Sequence, residues 1–312
     1  MISFGPIPSR RLGKSLGINN IPSQKICSYS CIYCQVGITN KFSIARKIFY
    51  EPEVIFSEVQ KHLEKLNNKD KPDYLTFVAN GEPTLDINLG KSIKKLKEFN
   101  FPVAVITNAS LLNQQHVRED LSLADWVSIK IDANNEATWK KINRPMVWLN
   151  FEKYVAGLLH FSSEYKGKLV AETMLIHGVN DSSAILQQTA ELISQINPSI
   201  AYISIPTRPP AITSVKAPDE LRINEAYQIF SKKGLKVELL LGFEGTDNGY
   251  TGNAVEDIIN ICTVHPIRED TMLELLKKDN ADNNVLNSLI NSKYIKQVRY
   301  NSKNFYIRQF HI

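Results

Sequence analysis

Cys27, Cys31 and Cys34 stand in the segment Ile-Cys-Ser-Tyr-Ser-Cys-Ile-Tyr-Cys-Gln, residues 26–35, a CxxxCxxC run with Tyr33 just before its last cysteine. Thiolates select iron–sulfur clusters, and a four-iron cluster ordinarily takes four of them. Three closely spaced cysteines without a fourth at hand read as a cluster site with one iron left open to a substrate or cofactor. Two other readings compete for the same residues. A structural zinc site wants four protein ligands, usually in two short pairs. Here the remaining cysteine, Cys262, lies far downstream, and no His or second CxxC follows at finger spacing. A disulfide framework belongs to oxidising compartments, whereas this sequence opens without a basic and apolar signal segment and three clustered cysteines cannot pair evenly. A reducing cytoplasm is the expected setting.

The elements that must position these cysteines follow from the rest of the pattern. At 312 residues with 43% hydrophobic residues, the chain can bury a substantial core as one large domain, or a large and a small one. No apolar run approaches the roughly 20 residues that span a bilayer, so a soluble protein is expected. The net charge of +5 is compatible with an anionic partner without requiring one. Residues 74–79, 102–107, 126–132, 169–176, 201–206 and 236–241 are β-branched or aromatic runs that read as strands; 52–66, 89–99, 151–161, 184–196 and 220–233 carry helical periodicity. Such alternation predicts a parallel sheet with right-handed crossovers, a partial or full β/α barrel. The cysteine loop is expected to follow an early strand ending near Lys25. Before it, Phe4 to Gly17 concentrates Gly, Pro and the pair Arg10–Arg11, and reads as a loop whose arginines could neutralise an anionic cluster or a substrate phosphate.

Active sites of such barrels gather where the C-terminal ends of the strands meet the following loops. The special residues of this chain fall there: Asn80-Gly81-Glu82-Pro83-Thr84, Thr107-Asn108, Lys130 and Asp132, His177, and Arg208. Each alone could be a turn signal; together they mark one rim. Ser128, Lys130 and Asp132 alternate on one strand and so share a face, predicted to be the barrel interior, where polar side chains are costly unless they bind something. On the next strand Glu172, Met174 and Ile176 face one way and Thr173, Leu175 and His177 the other, with the cavity side left open. His177 could be a proton donor, an adenine contact or a structural histidine. Arg208, on a proline-flanked loop, could clamp a carboxylate or phosphate, or stand as an exposed loop arginine. Cys262, in an apolar helical stretch, reads as a small buried hydrophobe.

CxxxCxxC with an aromatic residue before the third cysteine resembles the radical S-adenosylmethionine (SAM) superfamily. The resemblance implies a 4Fe-4S cluster on Cys27, Cys31 and Cys34, with SAM at the open iron and Tyr33 beside it. It implies reductive cleavage of SAM to a 5′-deoxyadenosyl radical, fed by a one-electron reductant of the flavodoxin or ferredoxin type, in an enzyme of oxidoreductase or transferase character. Gly81, Glu82 and Pro83 resemble the family's GGEP segment, which engages the SAM ammonium; Asn80 replaces the first glycine. Asn108 resembles an asparagine that bonds SAM's polar groups, and the same analogy gives Lys130 the SAM carboxylate and Asp132 the ribose hydroxyls or a substrate group. Phe4 to Gly17, Lys130-Ile-Asp-Ala133 and Lys140 to Pro145 resemble a group of iron–sulfur oxidoreductases placed with the wybutosine-synthesis tRNA enzymes. This chain lacks a flavodoxin domain and the cysteines for a second cluster, so that reaction is not carried over.

After residue 241 the pattern changes. A Gly-rich stretch leads to three short helices at 254–262, 268–278 and 285–291, then a hairpin at 294–300 and 305–308. The division expected is a barrel over 1–245, a linker over 246–253 and a winged-helix-like domain over 254–312. Its third helix is nearly free of basic residues, which weakens DNA major-groove readout; Lys293, Lys296, Arg299, Lys303 and Arg308 belong to the wing. Phosphate contact, RNA or peptide docking, or simple packing on the barrel stay open. The function expected is radical modification of a macromolecule, RNA ahead of peptide. The alternatives are a peptide- or protein-modifying enzyme that docks its substrate on the winged helix, and a redox-sensing DNA-binding regulator.

Overall fold

The computed structural model describes residues 2–22 and 24–309; the last three residues of the expected C-terminal domain lie outside them. In chain order the strands are β1 (Ser3–Ser9), β2 (Gly13–Ile18), β3 (Ile26–Cys27), β4 (Lys41–Phe42), β5 (Tyr74–Phe77), β6 (Val103–Thr107), β7 (Trp126–Lys130), β8 (Lys168–Met174), β9 (Ile200–Ser204), β10 (Val237–Leu240), β11 (Ile267–Arg268), β12 (Ile295–Tyr300) and β13 (Lys303–Arg308). The helices are α1 (Pro52–Lys65), α2 (Leu89–Leu96), α3 (Gln115–Leu121), α4 (Glu136–Asn143), α5 (Phe151–Glu164), α6 (Ser183–Ile196), α7 (Glu220–Lys232), α8 (Ala254–Val264), α9 (Glu269–Lys278) and α10 (Asn283–Asn291). Among the described residues eight strands make one curled sheet in the order β1-β2-β5-β6-β7-β8-β9-β10, a half-barrel in which β1 runs antiparallel to β2 and every later pair is parallel. No described helix is long and apolar enough to cross a membrane.

Alternation along each strand sorts the residues into two layers. Val105, Val127, Ile129, Leu169, Ala171 and Ile203 face outward and join the main core beneath the helices. Ala104, Trp126, Val170, Tyr202 and Leu240 face inward and, with Leu12, plug the bottom of the half-barrel. The interior above that plug is where polar side chains can meet a ligand. Register then puts Lys130 of β7 beside Glu172 of β8. This settles the parity left open by the sequence: Glu172 and Met174 face the cavity.

The segment expected as a Gly- and Pro-rich loop is the hairpin β1–β2. Pro6 and Pro8 are tolerated because β1 is the sheet's edge strand, where a missing N–H costs no ladder bond. The strand preceding the cysteines accordingly ends at Ile18, well before Lys25. Gly17 is required here, since a Cβ would lie 2.1 Å from the Phe4 ring. Helices α3 and α4 fill stretches to which the sequence reading assigned no element.

The C-terminal segment folds as α8, β11, α9, α10 and the hairpin β12–β13, with a three-stranded sheet ordered β11-β13-β12. Its core joins Ile258, Ile261, Met272, Leu275, Leu289 and Ile295 to Phe4 and Ile7 of β1. Cys262 is buried in that core.

Candidate active site

The cysteine loop is held at both ends by backbone pairing. The Ile26 N–H donates to Asn80 O at 3.3 Å and the Glu82 N–H to Ile26 O at 3.1 Å. This close approach explains Gly81, whose φ is +143° and whose Cβ would lie 1.7 Å from Ile26 O. On the far side the Ser30 and Ile32 N–H groups donate to the carbonyls of Asn143 and Ile142 at the end of α4, at 3.0 and 2.9 Å. Trp139 of the same helix donates its Nε1–H to Tyr29 Oη at 3.0 Å.

Each thiol has a donor aimed at its sulfur. Asn108 Nδ2 lies 3.5 Å from Cys27 Sγ, Asn143 Nδ2 3.5 Å from Cys31 Sγ, and Lys25 Nζ 3.1 Å from Cys34 Sγ. Burial pushes the Cys27 thiol up to about 12 against the pull of Lys25, and burial raises Cys31 as well, with Cys34 adding to it. Burial alone would lower Lys25, but the three sulfurs, Cys34 foremost, hold its ammonium charged. A bound metal displaces such thiol protons. Among the described residues no three His, Cys, Asp or Glu side chains surround a single metal-ion position. The thiols open instead onto a cavity of about 310 Å³, so the donor set and the space beside it fit a cluster and a cofactor.

Opposite the cysteines stands Glu82. Its carboxylate accepts from Thr84 N–H at 3.1 Å, Thr84 Oγ1 at 2.7 Å, Thr107 Oγ1 at 2.6 Å and Asn108 N–H at 2.8 Å. Burial raises its pKa, and these four donors oppose that rise. A buried acid supported in this way suits an incoming ammonium. Deeper in, Glu172 accepts from Lys130 Nζ at 2.6 Å, from Ser204 Oγ at 2.9 Å and from the Arg11 guanidinium. Burial would raise the Glu172 carboxyl, but Arg11 and Lys130 hold it down at about 2. Lys130 also stands over the Tyr33 ring, 5.4 Å from its centroid.

Of the residues singled out from sequence, Cys27, Cys31, Cys34, Tyr33, Gly81, Glu82, Asn108, Lys130, Arg10, Arg11 and Arg208 line this one cavity. Four do not. Ser128 shares the face of Lys130 but lies two residues deeper, fully buried. Pro83 opens a buried 3-10 turn behind Glu82. Asp132 lies beyond the end of β7, where strand alternation no longer governs direction. Its carboxylate is taken by Tyr33 Oη–H at 2.6 Å, Asn143 Nδ2 at 2.7 Å and the Met174 N–H at 2.9 Å, so the expected contact with ribose gives way to a buried bracket behind Tyr33 and Asn143. His177 is away from the cavity, its side chain 61% exposed and 3.5 Å from Asp181. Sequence reasoning passed over Lys25, Asn143, Glu244 and Gln35 and gave Glu172 no role. Lys25 had a signal in its position two residues before Cys27. The others are brought in only by the fold: Arg208 donates to Glu244 at 2.7 Å and to Gln35 at 3.2 Å, and Gln35, next to Cys34, donates to Val264 O at the end of α8 at 2.9 Å.

A profile of the radical SAM superfamily matches residues 21–192. The UPF0026 protein of Methanocaldococcus jannaschii is 44% identical over 309 residues, which are 98% of this chain and 96% of that protein. Among solved structures, a radical SAM methyltransferase from Sphaerobacter thermophilus superposes with a TM-score of 0.53 at 17% identity, covering 73% of this chain and 66% of that one. Streptococcus suis SuiB bound to S-adenosylmethionine superposes with a TM-score of 0.52 at 12% identity, over 72% of this chain and 49% of that one. At such identities these two structures speak to the fold, the curled half-barrel.

Proposed function

Because the chain belongs to the radical SAM superfamily and is an enzyme of that type, we propose that Cys27, Cys31 and Cys34 hold a 4Fe-4S cluster at which SAM is reductively cleaved, in order to modify a macromolecule, with RNA ahead of peptide. The observation that carries this reading is the convergence on one cavity of three thiols, the buried Glu82 and Asn108. Bound there, cluster and SAM would supply a 5′-deoxyadenosyl radical able to abstract hydrogen.

The chain's own residues do the positioning. Lys25, Asn108 and Asn143 each present a donor to one thiol sulfur and stabilise it as thiolate, the form that ligates iron. Glu82 offers its carboxylate to the SAM ammonium while Thr84, Thr107 and Asn108 fix its orientation. Lys130, anchored on Glu172, keeps N–H donors for the SAM carboxylate. Asp132 is a positioning residue, fixing Tyr33 and, through Asn143, the environment of Cys31. Arg10 stands exposed at the mouth, its pKa lowered by partial burial and by the neighbouring Arg208 and Arg11, and is available to a substrate anion. The C-terminal module, residues 254–312, serves as the substrate-docking domain in a cytoplasmic enzyme that draws its electron from a flavodoxin or ferredoxin. What favours RNA is the wing: Lys296, Arg299 and Lys303 are exposed on the β12–β13 hairpin and Lys293 in the turn that leads into it, while α10 carries no basic residue for major-groove readout.

Anaerobic reconstitution with iron, sulfide, SAM and reductant should yield 5′-deoxyadenosine, and Cys27→Ala should abolish it. A fully clustered protein that forms none would refute the assignment. With deuterated total RNA as substrate, deuterium should appear in the 5′-deoxyadenosine; enrichment from a peptide pool and not from RNA would reverse the substrate order.

A further inference from the structure

A second cavity of about 240 Å³ lies between the barrel rim and the C-terminal module, and shares Pro206, Thr207, Arg208, Glu244 and His265 with the first. It falls below the roughly 300–1,000 Å³ of pockets for whole drug-sized ligands and has room for one ring system with its substituents. It is built by Ile7 and Pro8 of β1, the loop after β9, the Gly-containing loop after β10, and the module's own 265–271 and 300–305 stretches.

Two properties of its lining point the same way. The first is a flat platform. The Arg268 guanidinium stacks 3.3 Å from the centroid of Phe243, which is 42% exposed, and Tyr300 also lines the cavity, its hydroxyl donating to Pro206 O at 3.0 Å. Aromatic rings and guanidinium planes are what single nucleobases stack on. The second is charge. Arg208 is paired with Glu244 and Arg268 with Asp270, while Lys303, also on the lining, forms no ion pair among the described residues and leaves the cavity a net positive charge. The same hairpin continues outward with exposed Lys296 and Arg299, so the cationic surface leads away from the cavity. His265 adds an edge for reading: burial, with Arg208 adding, holds its imidazole neutral, with one nitrogen to donate and one to accept.

We propose that this second cavity binds a nucleoside phosphate of the substrate, its base flat against Phe243 and Arg268, its base edge at His265 and its phosphate at Lys303. The proposal deepens the reading of the adjoining cavity as the reacting centre and rests on it for calling the ligand a substrate, but its test measures binding alone. The unit could come from a free nucleotide or from a strand of RNA, and the two sources differ in their use of the outer wing.

The full-length protein is titrated with each nucleoside 5′-monophosphate by calorimetry, and with a fluorescent single-stranded 12-mer RNA by anisotropy. At least one monophosphate should bind with a submillimolar Kd, and its nucleoside should bind at least tenfold more weakly. Phe243→Ala should weaken binding about 5- to 100-fold, the worth of one stacked base, and Lys303→Gln should reduce its dependence on salt. Because Phe243 and Lys303 line the second cavity and not the first, loss in both variants locates the ligand here and not in the SAM pocket. Both side chains are exposed, so unchanged melting temperatures check folding. If the 12-mer binds over 100-fold tighter than the monophosphate and Lys296→Gln/Arg299→Gln removes that advantage, the source is RNA; equal affinities make it the free nucleotide. No binding at 5 mM of any monophosphate or of the 12-mer, or wild-type affinity in both Phe243→Ala and Lys303→Gln, overturns the proposal. Formation of 5′-deoxyadenosine without substrate should survive both variants, so failure of the subsite and failure of SAM cleavage are read separately.

Discussion

Glu172→Gln removes one negative charge from a buried cluster and leaves the side chain's volume nearly unchanged. In the native protein Glu172 is 5% exposed and faces Arg11 and Lys130, whose side chains are 18% and 17% exposed. Its carboxyl sits at about 2 against an ordinary 4.5. At about 1.36 kcal/mol per pKa unit, that depression corresponds to on the order of 3 kcal/mol of preference for the anion in the folded state. The folded pKa is depressed, so this stability is fully present above pH 4.5 and is lost as pH falls from 4.5 towards 2. The variant also strands two cations, and breaking a buried pair typically costs about 3–5 kcal/mol. Urea denaturation of the cluster-free protein at pH 7.5, followed by tryptophan fluorescence, should therefore show a loss of about 3 kcal/mol; Trp126 and Trp139 are buried and report core opening. The gap between variant and wild type should narrow as pH is lowered below 4.5. Adding Lys130→Met should recover more than half of the loss, because the two residues act as a coupled pair. A Glu172→Gln protein within about 0.5 kcal/mol of wild type at pH 7.5, or a double variant no better than the single one, would refute the charge arrangement.

Gly81→Ala should cost more than about 3 kcal/mol and abolish iron uptake, since backbone on both sides of the 1.7 Å contact must move; iron and sulfide per chain after reconstitution measure it. Asp257, buried and pushed up to about 7, keeps a proton that the unfolded chain has released, so native stability should fall as pH rises from about 4 through 7. Asp257→Asn should flatten that slope and be the more stable protein at pH 8 by on the order of 2 kcal/mol, read from denaturation at pH 5 and pH 8. Cys262→Ala should cost about 1 kcal/mol of stability and leave iron content unchanged, in contrast to Cys27→Ala; equal loss of iron in both would assign Cys262 to the cluster.

The cysteines, Glu82 and Asn108 were legible because their signal is local: a fixed spacing in one case, position immediately after a strand in the others. The six central strands were legible for the same reason, each a short apolar run closed by turn residues. Asp132 was misjudged because alternation was carried two residues past Lys130, where β7 stops. The β1–β2 hairpin was hidden by Pro6 and Pro8, which composition assigns to loops and which only the edge position of β1 makes acceptable. Helices α3 and α4 bury just Val117 and Leu121, and Thr138, Trp139, Ile142 and Asn143, too few positions to register as a periodic stripe. Glu172 could not be read at all from sequence. Its role depends on the register that sets it against Lys130 and on the distant hairpin that delivers Arg11.

The sharing of Phe4 and Ile7 between β1 and the C-terminal core has a bearing on biosynthesis. The half-barrel's edge strand leaves the ribosome before the C-terminal module, and the surface that shields these two side chains is completed only after Ile258, Met272 and Ile295 have been made. Until then a nascent barrel carries an uncovered apolar edge, the kind of strand that pairs with neighbouring chains. Closure of that edge is a long-range contact and hence a slow one. Cutting the protein near residue 245 to isolate the barrel would make the vulnerable interval permanent, and such a fragment should aggregate unless Phe4 and Ile7 are replaced by polar residues.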